Sequence, residues 1–302
     1  MLNVVRKYRH FLNHLAREFD MDIKPGLRPS VVAAALAALL AGPALAQTTA
    51  PAPAPAPAAA PAAAPAAAPA APEPDWTFAS NVGIFSQYVF RGISQTNERP
   101  AVQGGFDVSH KSGFYVGTWL SNVSWLSDCQ CGVSNSLEWD MYGGYKWDLG
   151  HDFMWDNGFL YYFYPGSYPS GFTSPNTTEF YTALNWKMLQ VKWSIGLGDK
   201  TFGIPNSSGS NYIEGNVNWD VVDKVNDYVG KVTLIGHVGH QSFHNNNDYS
   251  YTDWKGGVAV DLSGYTVGLY GTGTNAKSAF YTNSYGKDLG NGQFVAYVQK
   301  SF

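Results

Sequence analysis

The sequence predicts an all-β fold, a transmembrane antiparallel up-and-down β-barrel of about 12 strands. Three observations predict it. First, residues 136–149 read SLEWDMYGGYKWDL, with Leu137, Trp139, Met141, Tyr145, Trp147 and Leu149 at odd positions and Glu138, Asp140, Lys146 and Asp148 at even ones. A strand sends successive side chains to opposite faces, so one face is apolar and aromatic and the other is charged. Second, only 14% of the 302 residues are charged, 15% are aromatic and 32 are glycine; soluble domains carry roughly 25% charge. Third, the longest apolar run, residues 31–42, is too short to span as a helix, which needs about 20 residues. A soluble sandwich would share the alternation, but an exported chain of this composition points its apolar face at lipid.

The chain opens with export signals. Residues 31–40 (VVAAALAALL) follow Lys24 and Arg28 and precede Gly42-Pro43-Ala44-Leu45-Ala46. A basic region, an apolar core and an Ala-x-Ala site define a signal peptide over residues 1–46, with Met21 as an alternative start that gives an ordinary length. Cleavage removes six of the 19 basic and three of the 23 acidic residues, leaving a net charge of −7. That charge argues against nucleic acid as a partner and permits a lumen that prefers cations. Residues 47–75 are Pro-Ala repeats, a semi-rigid linker with nothing to bury. It is expected in the periplasm.

From residue 76 to 302 the alternation recurs. Strands are expected near 77–91, 101–110, 114–125, 136–148, 154–164, 177–187, 190–201, 211–221, 230–242, 251–262, 265–275 and 292–302. The intervening segments alternate between short (111–113, 149–151, 187–189, 223–227, 263–264) and long (92–100, 126–135, 165–176, 202–210, 243–250, 276–291). Short periplasmic turns and long external loops are the asymmetry of outer-membrane barrels, and an even strand count returns both termini to one side. Trp119, Trp125, Trp147, Trp186 and Trp219 fall towards strand ends, the depth of lipid headgroups. Residues 159–164 are aromatic on both faces, and alternation alone does not orient them. Paired glycines (104–105, 143–144, 256–257) are expected to let the sheet curve.

The last strand ends Phe294-Val295-Ala296-Tyr297-Val298-Gln299-Lys300-Ser301-Phe302. Its terminal Phe302 and alternating apolar residues resemble the signal read by the outer-membrane assembly machinery, with Lys300 where an aromatic is more common. Residues 86–96 (SQYVFRGISQT), 100–106 (PAVQGGF) and 112–123 (SGFYVGTWLSNV), with Glu138, Asp140 and residues 142–145, resemble the TorF-type porins of Proteobacteria. The resemblance spans residues 76–302 and is most specific over 91–105. It implies a Gram-negative outer membrane and a channel.

Candidate lumen-lining residues follow from the alternation: Arg91, Asp107, Glu138, Asp140, Lys146, Glu179, Lys192, Glu214, Asp220, Asp253, Lys255 and Asp261. Together they would set the field of a pore or, in a barrel too narrow to conduct, form a plugging ion-pair network. Arg91 either narrows the passage or anchors a loop at the rim. Cys129 and Cys131 sit in an expected external loop, where a small disulfide is compatible with an oxidising compartment. No Cys or His nearby completes a metal site with them. His237 and His240 lie on opposite strand faces, so one ion cannot take both without a bulge.

No Gly-x-Ser-x-Gly or equivalent reactive constellation is present. The expected function is porin-like passive diffusion of small hydrophilic solutes, without enzyme activity or cofactor. The alternatives are a non-conducting barrel for binding, adhesion or envelope structure and, behind it, a barrel enzyme. Expected partners are outer-membrane lipid, the assembly machinery and the solute; homo-oligomerisation stays open.

Overall fold

In the computed structural model, residues 74–302 are described. The expected signal peptide, with its alternative start at Met21, and nearly all of the expected Pro-Ala linker lie outside them. Twelve antiparallel strands form a closed barrel: β1 (Trp76–Phe85), β4 (Ala101–His110), β5 (Phe114–Asn122), β6 (Leu137–Gly150), β7 (Phe153–Phe163), β8 (Thr177–Trp186), β9 (Leu189–Gly196), β10 (Asn211–Val222), β11 (Val229–Ser242), β12 (Tyr251–Leu262), β13 (Tyr265–Thr274) and β14 (Gln293–Ser301). Each pairs with its chain neighbour in the wall, and β1 closes on β14 through the register Asn81↔Ser301 to Phe85↔Tyr297. Closure leaves no free sheet edge, the one way in which strands can sit in lipid with every backbone group satisfied.

Turn chemistry sets the two ends apart. At one end the connections are as short as two residues. His151 and Asp152 both have positive φ, as do Ser263 and Gly264, the mirror-image geometry whose twist matches a hairpin. Both barrel termini lie at this end, because Trp76 pairs with His110 beside the turn at 111–113. All the long connections gather at the other end.

Alternation decides the faces. Phe78, Ile84, Val102, Phe114, Val191 and Phe294 are exposed on the outer wall, whereas Gln103, Glu138, Glu179, Ser194 and Asp253 are buried inside. The strand that alternation left unoriented is settled here: Phe159 faces outward, and Tyr162 inward. Inward tyrosines lie across inward glycines of adjacent strands. A Cβ on Gly117 would come within 2.4 Å of the Tyr142 ring, on Gly144 within 2.5 Å of the Tyr115 hydroxyl, and on Gly158 within 2.5 Å of Tyr181. These wall glycines therefore make room for rings, a reason for them beyond curvature.

The expected first strand, 77–91, is corrected. The wall strand stops at Phe85, and residues 86–99 turn into the barrel, where β2 (Val89–Phe90) and β3 (Ile93–Ser94) form a small hairpin. Its turn is Arg91-Gly92, both at positive φ. Gly92 is required there for space as well as for φ, since a Cβ would lie 2.3 Å from Thr274 Cγ2 and 2.7 Å from Asp253 Cβ. The expected strands at 114–125 and 190–201 are likewise shortened, ending at Asn122 and Gly196. The buried apolar core sits around this hairpin at the long-loop end, in two clusters: Tyr88, Val123, Leu126, Tyr162 and Tyr164 in one, Ile93, Phe243, Tyr251 and Leu289 in the other.

Candidate functional site

The hairpin divides the lumen, and its turn is the best-anchored point in the molecule. Arg91 Nη1 and Nη2 donate to Glu179 Oε1 and Oε2 at 3.0 and 2.8 Å, and Nη1 also donates to Gln241 Oε1 at 2.7 Å. The guanidinium lies 4.2 Å from the centre of the Tyr212 ring and 4.8 Å from that of Phe90. A planar fork gripping a carboxylate while stacked on rings is a geometry that arginine can adopt and lysine cannot. Burial opposes the charge on Arg91, but the Glu179 carboxylate outweighs it and holds the guanidinium more firmly protonated than usual. The side chain lies buried inside the barrel, in an ion pair that anchors the folded-in segment.

Behind the hairpin lies an acidic pocket. The Tyr88 hydroxyl donates to Glu138 Oε1 at 3.0 Å. Burial, reinforced by Glu138 and Asp140, pushes that hydroxyl well above the usual phenol range. Glu138 and Asp140 are only 1% and 7% exposed, and Glu138 Oε2 and Asp140 Oδ1 have no hydrogen-bond partner among the described residues. These two inward carboxylates are sealed under the hairpin and do not face a passage.

Below the turn a cavity of about 200 Å³ remains, bounded by Arg91, Lys192, Glu214, His237, Asp253 and Lys255. The Tyr212 hydroxyl donates to Asp253 Oδ2 at 2.8 Å. His237 Nε2 lies 2.9 Å from Asp253 Oδ1 and Nδ1 lies 2.6 Å from Asn216 Oδ1, with Glu214 Oε2 3.6 Å away. Lys192 and Lys255 lie over the rings of Tyr181 and Tyr270, at 4.7 and 5.3 Å, and neither forms an ion pair among the described residues. Further down, Tyr142 donates to Asp107 and Tyr115 to Asp156, both at 2.6 Å; Tyr115 also meets Tyr181, and Lys146 lies over the Tyr115 ring.

Asp220 and Asp261 sit at the short-turn rim. Asp220 pairs with Lys231 at 2.7 Å, and Asp261 accepts the Gly264 N–H at 2.7 Å. Cys129 and Cys131 are joined as a disulfide in the loop after β5. Phe302 is exposed, and its backbone exchanges hydrogen bonds with Ser80. Among the described residues no group of three or more His, Cys, Asp or Glu is placed to hold a metal ion.

The sequence reading names the lysines and every lumen carboxylate described above except Asp156, and misses the tyrosines that hold them. Tyr142 and Tyr212 share the inward alternation of Asp140 and Glu214 and could have been found from it. His237 was weighed only for metal, whereas its neighbours across the strands, Asn216 and Lys255, make it part of the lumen wall. Gln241 carried no signal apart from alternation.

A closed barrel, apolar outside and charged inside, is the architecture of an outer-membrane porin. The chain belongs to the Gcw_chp family, bacterial proteins of unknown function, whose model matches residues 67–302. No curated protein matches the sequence. Among solved structures, it is similar to the KdgM porin in complex with disordered oligogalacturonate, at 10% identity over 75% of this chain and 99% of that one, with a TM-score of 0.44. The NanC porin matches at 11% identity over 74% and 98%, TM-score 0.40, and LpxR from Salmonella typhimurium at 7% identity over 74% and 99%, TM-score 0.39.

Proposed function

We propose that the chain is a constricted outer-membrane channel for small hydrophilic solutes, with the hairpin at 86–99 as its constriction. The observation that carries this reading is the charged cavity of about 200 Å³ inside an apolar-walled barrel, directly beneath the Arg91-Gly92 turn. Inward Lys146, Lys192, Lys255 and Asp107 continue that polar lining towards the short-turn end. The long loops face the exterior in this reading, the short turns and Pro-Ala linker face the periplasm, and Phe302 serves the assembly machinery. The TorF-type resemblance supports the same assignment and is most specific over 91–105, the second half of the hairpin and the strand that follows.

The reading is of a channel and not of an enzyme. Among the described residues His237 is the one lumen histidine placed against a carboxylate, and both its ring nitrogens are engaged by Asp253, Tyr212 and Asn216, with no hydrogen bond to a serine, threonine or cysteine there.

Single-channel recording in planar bilayers tests the proposal. The protein from residue 47 onward should give small conductance steps, and replacing residues 88–97 with a short Gly-Ser link should enlarge them several-fold. Heat-modifiable, inserted protein that conducts in neither form would overturn it.

A further inference from the structure

A second cavity, of about 350 Å³, lies above the hairpin among the long loops. Its wall is built from rings far apart in sequence: Phe90 of the hairpin, Trp125, Phe202, Tyr249, Phe280 and Tyr281. The polar side chains on that wall are mostly committed elsewhere. Gln241 receives Arg91 and donates to Asn211 O; Ser94 donates to Gln87, Gln95 to Ile93 O, Asn283 to Asn97, and Tyr281 to Tyr249 O. The cavity therefore offers aromatic faces and few hydrogen bonds.

These features specify a ligand. Aromatic faces favour stacked or edge-on rings over hydroxyl-rich molecules, which would lose water contacts and gain little. An apolar cavity of about 150 Å³ takes up benzene, so one of roughly twice that volume suits two fused rings. We propose that the loop-end cavity is a binding site for a planar, two-ring aromatic molecule. This site is separate from the charged cavity below the hairpin and does not depend on whether the barrel conducts.

The test is isothermal titration of the refolded full-length barrel, held in amphipol, with 2-naphthol, and with glucose as the polar ring of comparison. The expected result is saturable binding of 2-naphthol and none of glucose. Ile204→Trp fills the cavity from the loop after β9 and should weaken 2-naphthol at least tenfold. Heat-modifiability checks that each variant is folded; if Ile204→Trp is not, Phe280→Ala on the last long loop should still cost at least threefold. No saturable binding of 2-naphthol, binding of glucose, or unchanged affinity in the folded cavity variants would each overturn the proposal.

Discussion

The two halves of the lumen solve the same problem in opposite ways. In the half near the short turns, inward charges meet tyrosine rings and hydroxyls across a polar interior: Asp107 with Tyr142, Asp156 with Tyr115, Lys192 over Tyr181. In the half near the long loops, the chain itself fills the space, and charges are either locked in pairs, as Arg91 with Glu179, or sealed, as Glu138 and Asp140. A barrel of 12 strands lies between the eight-stranded case filled by side chains and the 16-stranded aqueous pore. This molecule is filled at one end and polar at the other, so in the proposed channel one hairpin, and not the strand number, sets the permeability.

The sharpest way to break this contrast is to remove one partner of the locked pair. Arg91→Ala leaves Glu179 buried and uncompensated, a change that costs about 3–5 kcal/mol in buried ion pairs. The expected outcome is proteolytic cleavage within residues 86–99 and wider conductance steps, with the barrel still heat-modifiable. Arg91→Met with Glu179→Met should restore most of the protection, because the paired loss strands no charge. Protection by the double variant equal to that of Arg91→Ala would show that the ion pair is not what seats the hairpin.

Glycines give the next largest effect. At Gly239, a Cβ would sit 1.9 Å from the Tyr212 hydroxyl, whereas at Gly256, on the outer face, nothing lies within 4 Å. Gly239→Ala is expected to destabilise by about 1–3 kcal/mol in urea unfolding, through overpacking, and Gly256→Ala by close to nothing. In the polar half, Tyr142→Phe removes one hydrogen bond to Asp107 and should cost about 1 kcal/mol or less while shifting the reversal potential in a salt gradient. The smallest effect belongs to the rim. Lys231→Ala breaks an exposed pair with Asp220 and should leave the unfolding midpoint unchanged.

Much of the wall was legible in the sequence, because a period of two survives wherever one face meets an apolar phase and the other does not. The hairpin was not. Gln87 and Tyr88 are both buried once the chain has left the wall, and residues 86–90 carry no turn signal in the sequence to mark the departure, so pattern alone does not tell a wall strand from an enclosed segment. The same limit applies to Glu138 and Asp140: their inward direction follows from the pattern, but whether they meet solute or a folded-in segment depends on residues some 50 positions earlier, such as Tyr88. β7 resisted orientation because its inner face carries Tyr162, packed on Phe90 with ring centres 5.7 Å apart, as aromatic as its outer face. The loop-end cavity was illegible for a related reason: its walls come from the hairpin and the long loops, and no local pattern announces that they converge.

The seam where β1 meets β14 carries a consequence for assembly. β14 runs on past the end of β1, and its exposed backbone is covered by single side chains: Ser86 Oγ accepts the Ala296 N–H at 3.0 Å and Gln87 Nε2 donates to Phe294 O at 3.2 Å, across 207 residues of chain. Gln87 also receives Ser94 of the hairpin, so the stitch that closes the wall and the segment inside it share one amide. Pairings so distant in sequence are intrinsically slow to form. The hairpin springs from β1 at this same seam and reaches across to Glu179 and Gln241 on the far wall. Seating the hairpin and setting the register of the two end strands are therefore coupled, like a sleeve buttoned over an arm, and that register reports whether the segment is in place.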